Sequence, residues 1–443
     1  MGNRWQMIGI AMLATGLTAC GSVGPSVSPN PSDIASASGF DRRPVDAVLK
    51  TLVDDGQVVG ASALVFKDGE EVFFGAEGLS DRESGRPMAR NTLAHIFSMT
   101  KPVTGVALLT LHEQGKFELD DPLALHAPIF KDLQVFAGVD ENGVMILETP
   151  RRPVTVADVV RHTAGFGYGG EDSPPGRLFR EVQPFSDDHD LSDFAQALAQ
   201  APLQFHPGEQ WHYSASVDVQ AYLVEVLTGE PYADYVQRTI FDPLGMDETG
   251  WWTAPEHHDR VARLYQVDEN KSGGDRLVLE HPAMHYGLSP EPPRLTQGGS
   301  GLVSTLDDYM KFAQMLVGEG ASHGVRILKP ETVRLMATDL LPDTVQERSW
   351  LPTKGQVGFG VDVAVRVAPP ADTEEHPGAV GEFFWDGRSS TLFWVDPQND
   401  LTAVLFLQVY PFDHKAHNMF RRAVYSAFDG EGLGKHSPYK RRR

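Results

Sequence analysis

The alternation of apolar and polar residues predicts strands near both ends of the chain and helices between them. Two runs of β-branched and aromatic residues, Ala61–Phe66 and Glu71–Gly75, are separated by a short polar turn and predict a β-hairpin. Thr391–Val395 and Leu401–Leu407 are predicted as strands on either side of a second polar turn. Between these two pairs, as far as about residue 290, helical patterns alternate with loops rich in proline and glycine.

Three amphipathic helices and one wholly apolar helix can be placed from the pattern. The amphipathic helices are predicted from Pro44, over Tyr309–Val317 behind a capping box, and over Lys415–Phe428. The run Val103–Leu111 is apolar on nearly every side. Such a helix belongs in a protein interior, because it has no polar face to turn toward water.

The N-terminus has the features of a bacterial lipoprotein signal. Arg4 gives a positive start, and the apolar stretch Met7–Ala14 is too short to span a bilayer. Leu17–Gly21 resembles a lipobox, in which small residues precede a cysteine, here Cys20, that is lipidated and becomes the new N-terminus. An ordinary secretory signal with an incidental cysteine is the alternative. Because glycine rather than aspartate follows Cys20, we expect an outer-membrane anchor that faces the periplasm.

These features divide the chain into four parts. Residues 1–19 are predicted to be a signal peptide, 20–39 a flexible tether rich in Ser, Pro and Gly, 40–430 the folded domain and 431–443 a basic tail. No segment after the signal is long and apolar enough to be a transmembrane helix. The membrane is therefore expected as a partner through the lipid anchor.

Charge and cysteine content exclude several classes of protein. The 443 residues carry a net charge of −22, whereas nucleic-acid binding needs a basic face, so no nucleic-acid partner is expected. A single cysteine leaves no internal disulfide, no cysteine-rich zinc site and no iron–sulfur cluster. The acidic loop Asp187–Asp190 is interpreted as solvated, and His112–Lys116 lacks the second histidine of a zinc-protease motif. We expect neither a metal nor a cofactor.

Candidate chemistry first appears at Ser98-Met99-Thr100-Lys101. Residues three apart lie on one face of a helix, so the amine of Lys101 can reach the hydroxyl of Ser98. A serine hydroxyl becomes a good nucleophile when a base takes its proton, and lysine can do so if burial lowers its pKa from about 10.4 toward 7. A second Ser-x-x-Lys, Ser437–Lys440, lies in the charged tail without a helix and is set aside.

Two later segments supply partners for this pair. The phenol of Tyr213, held near an ammonium, can be ionised or share its proton, and can then relay a proton to a leaving group. Trp385-Asp386-Gly387 enters the C-terminal strand, where a glycine permits close approach of the backbone. The N–H groups of Ser98 and Arg388 are then expected to face each other and form an oxyanion hole.

Three motifs in this order resemble those of the penicillin-recognising serine hydrolases, and most closely the class C β-lactamases and their esterase relatives. They are Ser98–Lys101, Tyr213-Ser214-Ala215 and Trp385-Asp386-Gly387. Supporting segments are Arg161–Phe166, Phe241–Met246 and Gly298–Ser304. The resemblance covers about residues 40–428. It implies an α+β fold, with an antiparallel sheet flanked by helices, an all-helical subdomain, and the site in the cleft between them.

Departures from the β-lactamase motifs favour esters as substrates. Trp385 stands where the lysine of Lys-Thr-Gly would recognise a carboxylate, and Ala215 replaces the amide of Tyr-x-Asn. The resulting interpretation is a serine hydrolase that cleaves carboxylic esters, as small-molecule substrates, through an acyl-enzyme. Its catalytic residues are Ser98, Lys101 and Tyr213. Its substrate-binding residues are Trp385, Asp386 and Gly387, although Asp386 should point away from Trp385 on a strand and has no assigned role.

Two other functions stay open at this point. One is a class C-type β-lactamase or D-Ala-D-Ala peptidase, which fits a location outside the cytoplasm. The other is a non-catalytic binding protein that keeps the fold. His162 and His212 are interpreted as structural histidines. The chain contains no Gly-x-x-x-x-Gly-Lys and no Gly-x-Ser-x-Gly, so nucleotide hydrolysis and the α/β-hydrolase mechanism lack support.

Overall fold

The computed structural model describes residues 39–170, 172–280, 288–345, 356–372 and 375–428. The predicted signal peptide, Cys20, the tether as far as residue 38 and the basic tail lie outside the described residues. Within the described ranges, no helix combines the length and the apolar character needed to cross a membrane.

A central antiparallel sheet is built from both ends of the chain. Its eight strands in the described residues are β1 (Gly60–Lys67), β2 (Glu70–Asp81), β3 (Arg86–Pro87), β4 (Val357–Phe359), β5 (Ala364–Arg366), β6 (Phe383–Asp386), β7 (Leu392–Asp396) and β8 (Leu401–Leu407). Their order across the sheet is β4-β5-β6-β7-β8-β1-β2-β3. The two ends meet at the β8–β1 pair, where Ala63 lies opposite Leu405. Both predicted strand pairs are confirmed, and so is the antiparallel sheet.

Helices account for most of the remaining structure. The twelve α-helices in the described residues are α1 (Arg43–Asp54), α2 (Thr100–Glu113), α3 (Leu123–His126), α4 (Val156–Val160), α5 (Pro174–Val182), α6 (Leu191–Leu198), α7 (Ser216–Thr228), α8 (Tyr232–Val236), α9 (Asp242–Leu244), α10 (Leu306–Val317), α11 (Pro330–Met336) and α12 (His414–Ser426). The predicted mixed α+β class is therefore confirmed.

Helices cover both faces of the sheet, which explains why β7 and β8 are buried at every position. The ring of Phe393 lies 5.1 Å from that of Tyr309 on α10, whereas the ring of the next residue, Trp394, lies 5.7 Å from that of Phe420 on α12. Successive residues of a strand point to opposite faces, so α10 and α12 lie on opposite sides of the sheet. Strands covered on both sides read as continuous apolar runs.

The middle of the chain forms a mainly helical part beside the sheet. At its centre α2 packs against α7, and α2 is buried from Thr100 to Leu111, as expected for an interior helix. A two-stranded ribbon adds to this part. It pairs Val135–Val139 with Met145–Glu148. The remaining short strands are Ala94–His95 with Val303–Ser304, Ala321–Ser322 with Val325–Arg326, and Tyr265–Val267 between Leu277–Leu279 and Val409–Tyr410.

Candidate active site

Ser98 lies in a short 3-10 turn directly before α2, which begins at Thr100. The Ser-x-x-Lys spacing predicts that Ser98 and Lys101 share one face of a helix. In the structure Ser98 instead precedes the helix, because the backbone turns sharply at Phe97, whose φ is +44°. This left-handed conformation is uncommon for a bulky residue, and strain of this kind clusters at functional sites. Tyr309 of α10 holds the turn, because its hydroxyl donates a 2.8 Å hydrogen bond to the carbonyl oxygen of Met99.

Lys101, in the first turn of α2, directs its amine at Ser98. Its Nζ lies 3.2 Å from Ser98 Oγ and 2.6 Å from the carbonyl oxygen of Gly299, and the residue is 1% exposed. Burial lowers the pKa of Lys101 to about 8. Three nearby carboxyl groups oppose part of this change, those of Asp218, Asp362 and Asp386. The amine can therefore be neutral at mildly basic pH and accept the proton of Ser98.

Two of these carboxyl groups are buried beneath the lysine. Asp218 accepts a 2.9 Å hydrogen bond from the N–H of Gly299, and burial raises its pKa to about 6. Asp362 accepts a 2.9 Å hydrogen bond from the side-chain amide of Gln220, and burial raises its pKa well above the ordinary value. The charge on Asp218 favours the ammonium of Lys101, so it keeps the pKa of the lysine from falling further.

Tyr213 borders the same amine. The Nζ of Lys101 lies 4.6 Å from the centre of the Tyr213 ring. The phenol accepts a 3.3 Å hydrogen bond from Nε1 of Trp385, and the side chains of Ser98 and Trp385 both lower the pKa of Tyr213 in part. Burial raises the pKa of Tyr213 far above its ordinary value, so the phenol keeps its proton. The sequence left open whether the phenol is ionised or shares its proton. Its burial favours the neutral phenol, which can donate a proton.

A buried histidine orders the segment that carries Tyr213. Nδ1 of His162 accepts a 3.3 Å hydrogen bond from the N–H of Ser214, and the carbonyl oxygen of His162 accepts one of 3.0 Å from the N–H of His212. The His162 and Tyr213 rings are 4.9 Å apart. Burial lowers the pKa of His162 well below its ordinary value, so the ring is neutral. His162 thus supports Tyr213 rather than acting as a base on Ser98.

Gly387 brings the end of β6 against the Ser98 turn. A Cβ atom at Gly387 would lie 2.2 Å from Oγ1 of Thr391 and 2.3 Å from the carbonyl oxygen of Ile96, so a larger residue does not fit. Thr391 Oγ1 also donates a 3.3 Å hydrogen bond to the same carbonyl. This packing agrees with an oxyanion hole formed by the N–H groups of Ser98 and Arg388, which stays a prediction.

Trp385 and Asp386 also border the site. The Trp385 ring lies 5.5 Å from that of Tyr213 and is buried, and its role as an apolar wall for substrate stays a prediction. Asp386 is partly exposed at the end of β6, and burial raises its pKa to about 7. Its charge raises the pKa of both Lys101 and Tyr213, which ties its carboxyl group to the same site.

Four residues around the lysine were given no role from the sequence, although Gly299 lies in a segment that supports the resemblance: Tyr168, Asp218, Gly299 and Asp362. The ring of Tyr168 lies 5.8 Å from Nζ of Lys101. A Cβ at Gly299 would lie 2.8 Å from Asp218 Oδ2 and 3.3 Å from that Nζ. Asp218 carries a usable signal, because it is an acid within the otherwise apolar start of α7. Asp362 carries none, because only the folded chain brings it beneath α2.

Two pockets are lined by residues from the segments that surround the site, although none of Ser98, Lys101 and Tyr213 lines either one. One of about 570 Å³ is lined by Tyr168 and Phe185, and one of about 760 Å³ is lined by Trp251 and Gly301. Both include Asp187. Their sizes suit a small organic ligand. Among the residues described, no group of three or more His, Cys, Asp or Glu is arranged to hold a metal ion.

Comparison with known proteins agrees with this geometry. A family model described as Beta-lactamase matches residues 45–426. An uncharacterised protein of Mycobacterium tuberculosis is 34% identical over 373 residues, covering 82% of this chain and 89% of that protein. Esterase EstB of Burkholderia gladioli is 32% identical over 394 residues, covering 86% of this chain and 93% of that protein.

A solved structure of a hydrolase is also similar to this chain over most of its length. EstCE1, described as a hydrolase with promiscuous acyltransferase activity, matches with a TM-score of 0.68 at 25% identity. The match covers 89% of this chain and 99% of that one. Together with the family model, these relatives show an enzyme of the serine hydrolase type. The chain therefore belongs to the β-lactamase family, within the penicillin-recognising serine hydrolases.

Proposed function

We propose that this protein is a carboxylesterase that works through an acyl-enzyme on Ser98. The observation that carries the proposal is the buried amine of Lys101, with a pKa near 8, at 3.2 Å from Ser98 Oγ. Trp385 supports an ester rather than a β-lactam as substrate, because it offers an apolar wall instead of a cation for a carboxylate. The relative named as an esterase supports the same choice.

Acylation follows from the contacts of the site. Ser98 Oγ attacks the ester carbonyl carbon and its proton passes to Lys101. The carbonyl oxygen becomes an oxyanion, which the N–H groups of Ser98 and Arg388 stabilise. When the carbon–oxygen bond breaks, the alkoxide takes the phenol proton of Tyr213. Tyr213 then recovers a proton from the ammonium of Lys101, so the alcohol leaves neutral and the lysine is free again.

Deacylation uses the same groups with water in place of the alcohol. Water gives a proton to Lys101 as its oxygen attacks the acyl carbon. The ester bond to Ser98 breaks, and Oγ recovers its proton from Lys101. A carboxylic acid is released and the starting state is restored.

The first experiment measures turnover of p-nitrophenyl butyrate by the purified wild type and by Ser98→Ala. A matched control is Ser322→Ala, which changes a serine of a short peripheral strand. We expect turnover by the wild type and the control, loss of turnover in Ser98→Ala, and an acyl group on the peptide that contains Ser98. Equal turnover by Ser98→Ala would overturn the proposal.

The alternatives give different outcomes with other probes. A β-lactamase or D-Ala-D-Ala peptidase would hydrolyse nitrocefin or a D-Ala-D-Ala peptide far faster than an ester. A non-catalytic binding protein would fail to react with a fluorophosphonate at Ser98. The position of the Lys101 amine, 3.2 Å from Ser98 Oγ and 4.6 Å from the centre of the Tyr213 ring, argues against the last of these.

Acyl transfer to an alcohol is a second candidate, favoured by the described side activity of EstCE1. An alcohol that reaches the acyl-enzyme would replace water in the second half of the reaction. Turnover of a vinyl ester with added butanol separates the two outcomes. A butyl ester that forms faster than the free acid indicates a transferase, and free acid alone indicates a hydrolase.

A further inference from the structure

Asp386 is the one acidic residue of the three coupled to Lys101 that a substrate can meet directly. Asp218 and Asp362 are 1% and 0% exposed and lie beneath the lysine, whereas Asp386 is partly exposed at the end of β6. Its charge reaches both Lys101 and Tyr213. The carboxyl group therefore belongs to the surface of the site that receives substrate.

Both chain neighbours of Asp386 contact parts of the candidate active site. On one side Trp385 donates its Nε1 hydrogen bond to the phenol of Tyr213. On the other side Gly387 packs against the carbonyl oxygen of Ile96, two residues before Ser98. Asp386 therefore stands in the chain between a residue that contacts the phenol of Tyr213 and a residue that packs against the Ser98 turn.

Three other ionisable groups near this position, those of Lys101, Tyr168 and Tyr213, offer no accessible charge to a substrate. Lys101 is buried, and the raised pKa values of Tyr168 and Tyr213 keep both phenols neutral. The guanidinium of Arg388 lies over the Tyr410 ring, 4.1 Å from its centre. Of the three carboxyl groups that act on Lys101, the one that a substrate can approach is therefore that of Asp386.

We propose that Asp386 is a specificity-determining residue that selects esters by the charge of the leaving group, favouring a cationic group and rejecting a carboxylate. The inference rests on the proposed ester hydrolysis and deepens it. An anionic group placed beside Asp386 is repelled, and a cationic group is attracted. Substrates that carry a carboxylate next to the scissile bond, as β-lactams do, are therefore disfavoured by charge as well as by the missing cation.

Three butyryl thioesters that share one acyl group test the proposal. They are butyrylthiocholine, its neutral isostere with a 3,3-dimethylbutyl group, and the butyryl thioester of 3-mercaptopropionate. The released thiol is followed with one reagent, and kcat/KM is measured at pH 8.5 for the wild type, Asp386→Asn and Asp386→Thr. Glu141→Gln changes an exposed acid in the turn of the peripheral ribbon and is the control. Fluorophosphonate labelling of Ser98 shows that each variant has an intact site.

The readout is the ratio of kcat/KM for the cationic thioester to that for the anionic one. We expect a ratio of about 10 or more in the wild type and the control, and a value several-fold closer to 1 in both Asp386 variants. The wild-type ratio should also fall as the pH drops from 8.5 to 5.5, because Asp386, with a pKa of about 7, loses its charge.

Two results separate failure of this inference from failure of the proposed function. An equal ratio in the wild type and both Asp386 variants, with turnover that still depends on Ser98, overturns the role of Asp386 alone. Ester turnover that persists in Ser98→Ala overturns the proposed function whatever the ratio. If the thioesters are turned over too slowly, the same ratio is taken from their inhibition of p-nitrophenyl butyrate turnover.

Discussion

Nζ of Lys101 and Oγ of Ser98 lie 3.2 Å apart at the start of a helix that is buried from Thr100 to Leu111. The distance lets a proton pass between them. The burial makes the transfer possible, because a lysine in water would stay charged near neutral pH. The apolar helix α2 therefore has a chemical role as well as a packing role.

Removing the Tyr213 hydroxyl should harm esters of alkyl alcohols more than esters of p-nitrophenol. An alkoxide needs a proton as it leaves, whereas p-nitrophenolate leaves as a stable anion. We expect Tyr213→Phe to lower kcat for ethyl butyrate by on the order of 10²–10⁴-fold, with a smaller loss for p-nitrophenyl butyrate. Equal losses on the two esters would show that Tyr213 does not donate to the leaving group.

His162 should act through Tyr213, as a positioning residue. His162→Ala removes the acceptor for Ser214 and the ring that packs on Tyr213. We expect roughly a tenfold or larger fall in kcat with little change in KM. His162→Asn should recover part of the activity, since its side-chain oxygen can accept the same hydrogen bond and asparagine tolerates the φ of +59° at this position.

The same substitution in a Tyr213→Phe background provides the control for a merely structural effect. If His162 works by orienting the phenol, His162→Ala should cost little more once the phenol hydroxyl is gone. Full additivity of the two losses would mean that His162 affects the site by another route.

Gly387→Ala should displace the strand that supplies the predicted oxyanion donor. The added methyl group would lie 2.3 Å from the Ile96 carbonyl oxygen, so the strand or the nucleophile turn must move. We expect a fall in kcat on the order of 100-fold, because small misplacements of catalytic groups are costly. Gly274→Ala is the matched control, since a Cβ there meets nothing within 4 Å. A Gly387→Ala enzyme as active as the control would contradict the assignment.

Cys20 should determine where the protein is found. If it is lipidated, the full chain expressed in a Gram-negative host should fractionate with the outer membrane and incorporate labelled palmitate. Cys20→Ser should abolish the label and release the protein from the membrane fraction. A wild-type protein that is soluble and unlabelled would favour an ordinary secretory signal.

Much of the fold could be predicted from local pattern. The continuous apolar runs Thr391–Val395 and Leu401–Leu407 indicate strands, and Val103–Leu111 indicates an interior helix, because each pattern reflects what covers the segment. The left-handed turn at Phe97, which places Ser98 just before α2, could not be predicted, since no local pattern indicates it. The ribbon at Val135–Val139 was also missed, because its strands are short and largely exposed.

The residues of the candidate site also fall into those that a local motif predicts and those that only the folded chain brings together. Ser98, Lys101, Tyr213 and Trp385 were found because their motifs are local, and the structure brings them together. The effects of Gly299 and Asp362 on Lys101 could not be predicted, because both residues are far from Lys101 in sequence. The contact of His162 with Tyr213 could not be predicted either, because it joins two loops that are distant in sequence.

The most direct test of Lys101 as the base for Ser98 is the rate at which a fluorophosphonate labels Ser98 as a function of pH. Lys101 acts as a base only when neutral, so the labelling rate of the wild type should rise with pH and reach half its maximum near pH 8. Lys101→Met should label far more slowly and lose this pH dependence. A wild-type rate that stays constant between about pH 6 and 10, or a Lys101→Met enzyme that labels as fast as the wild type, would contradict it.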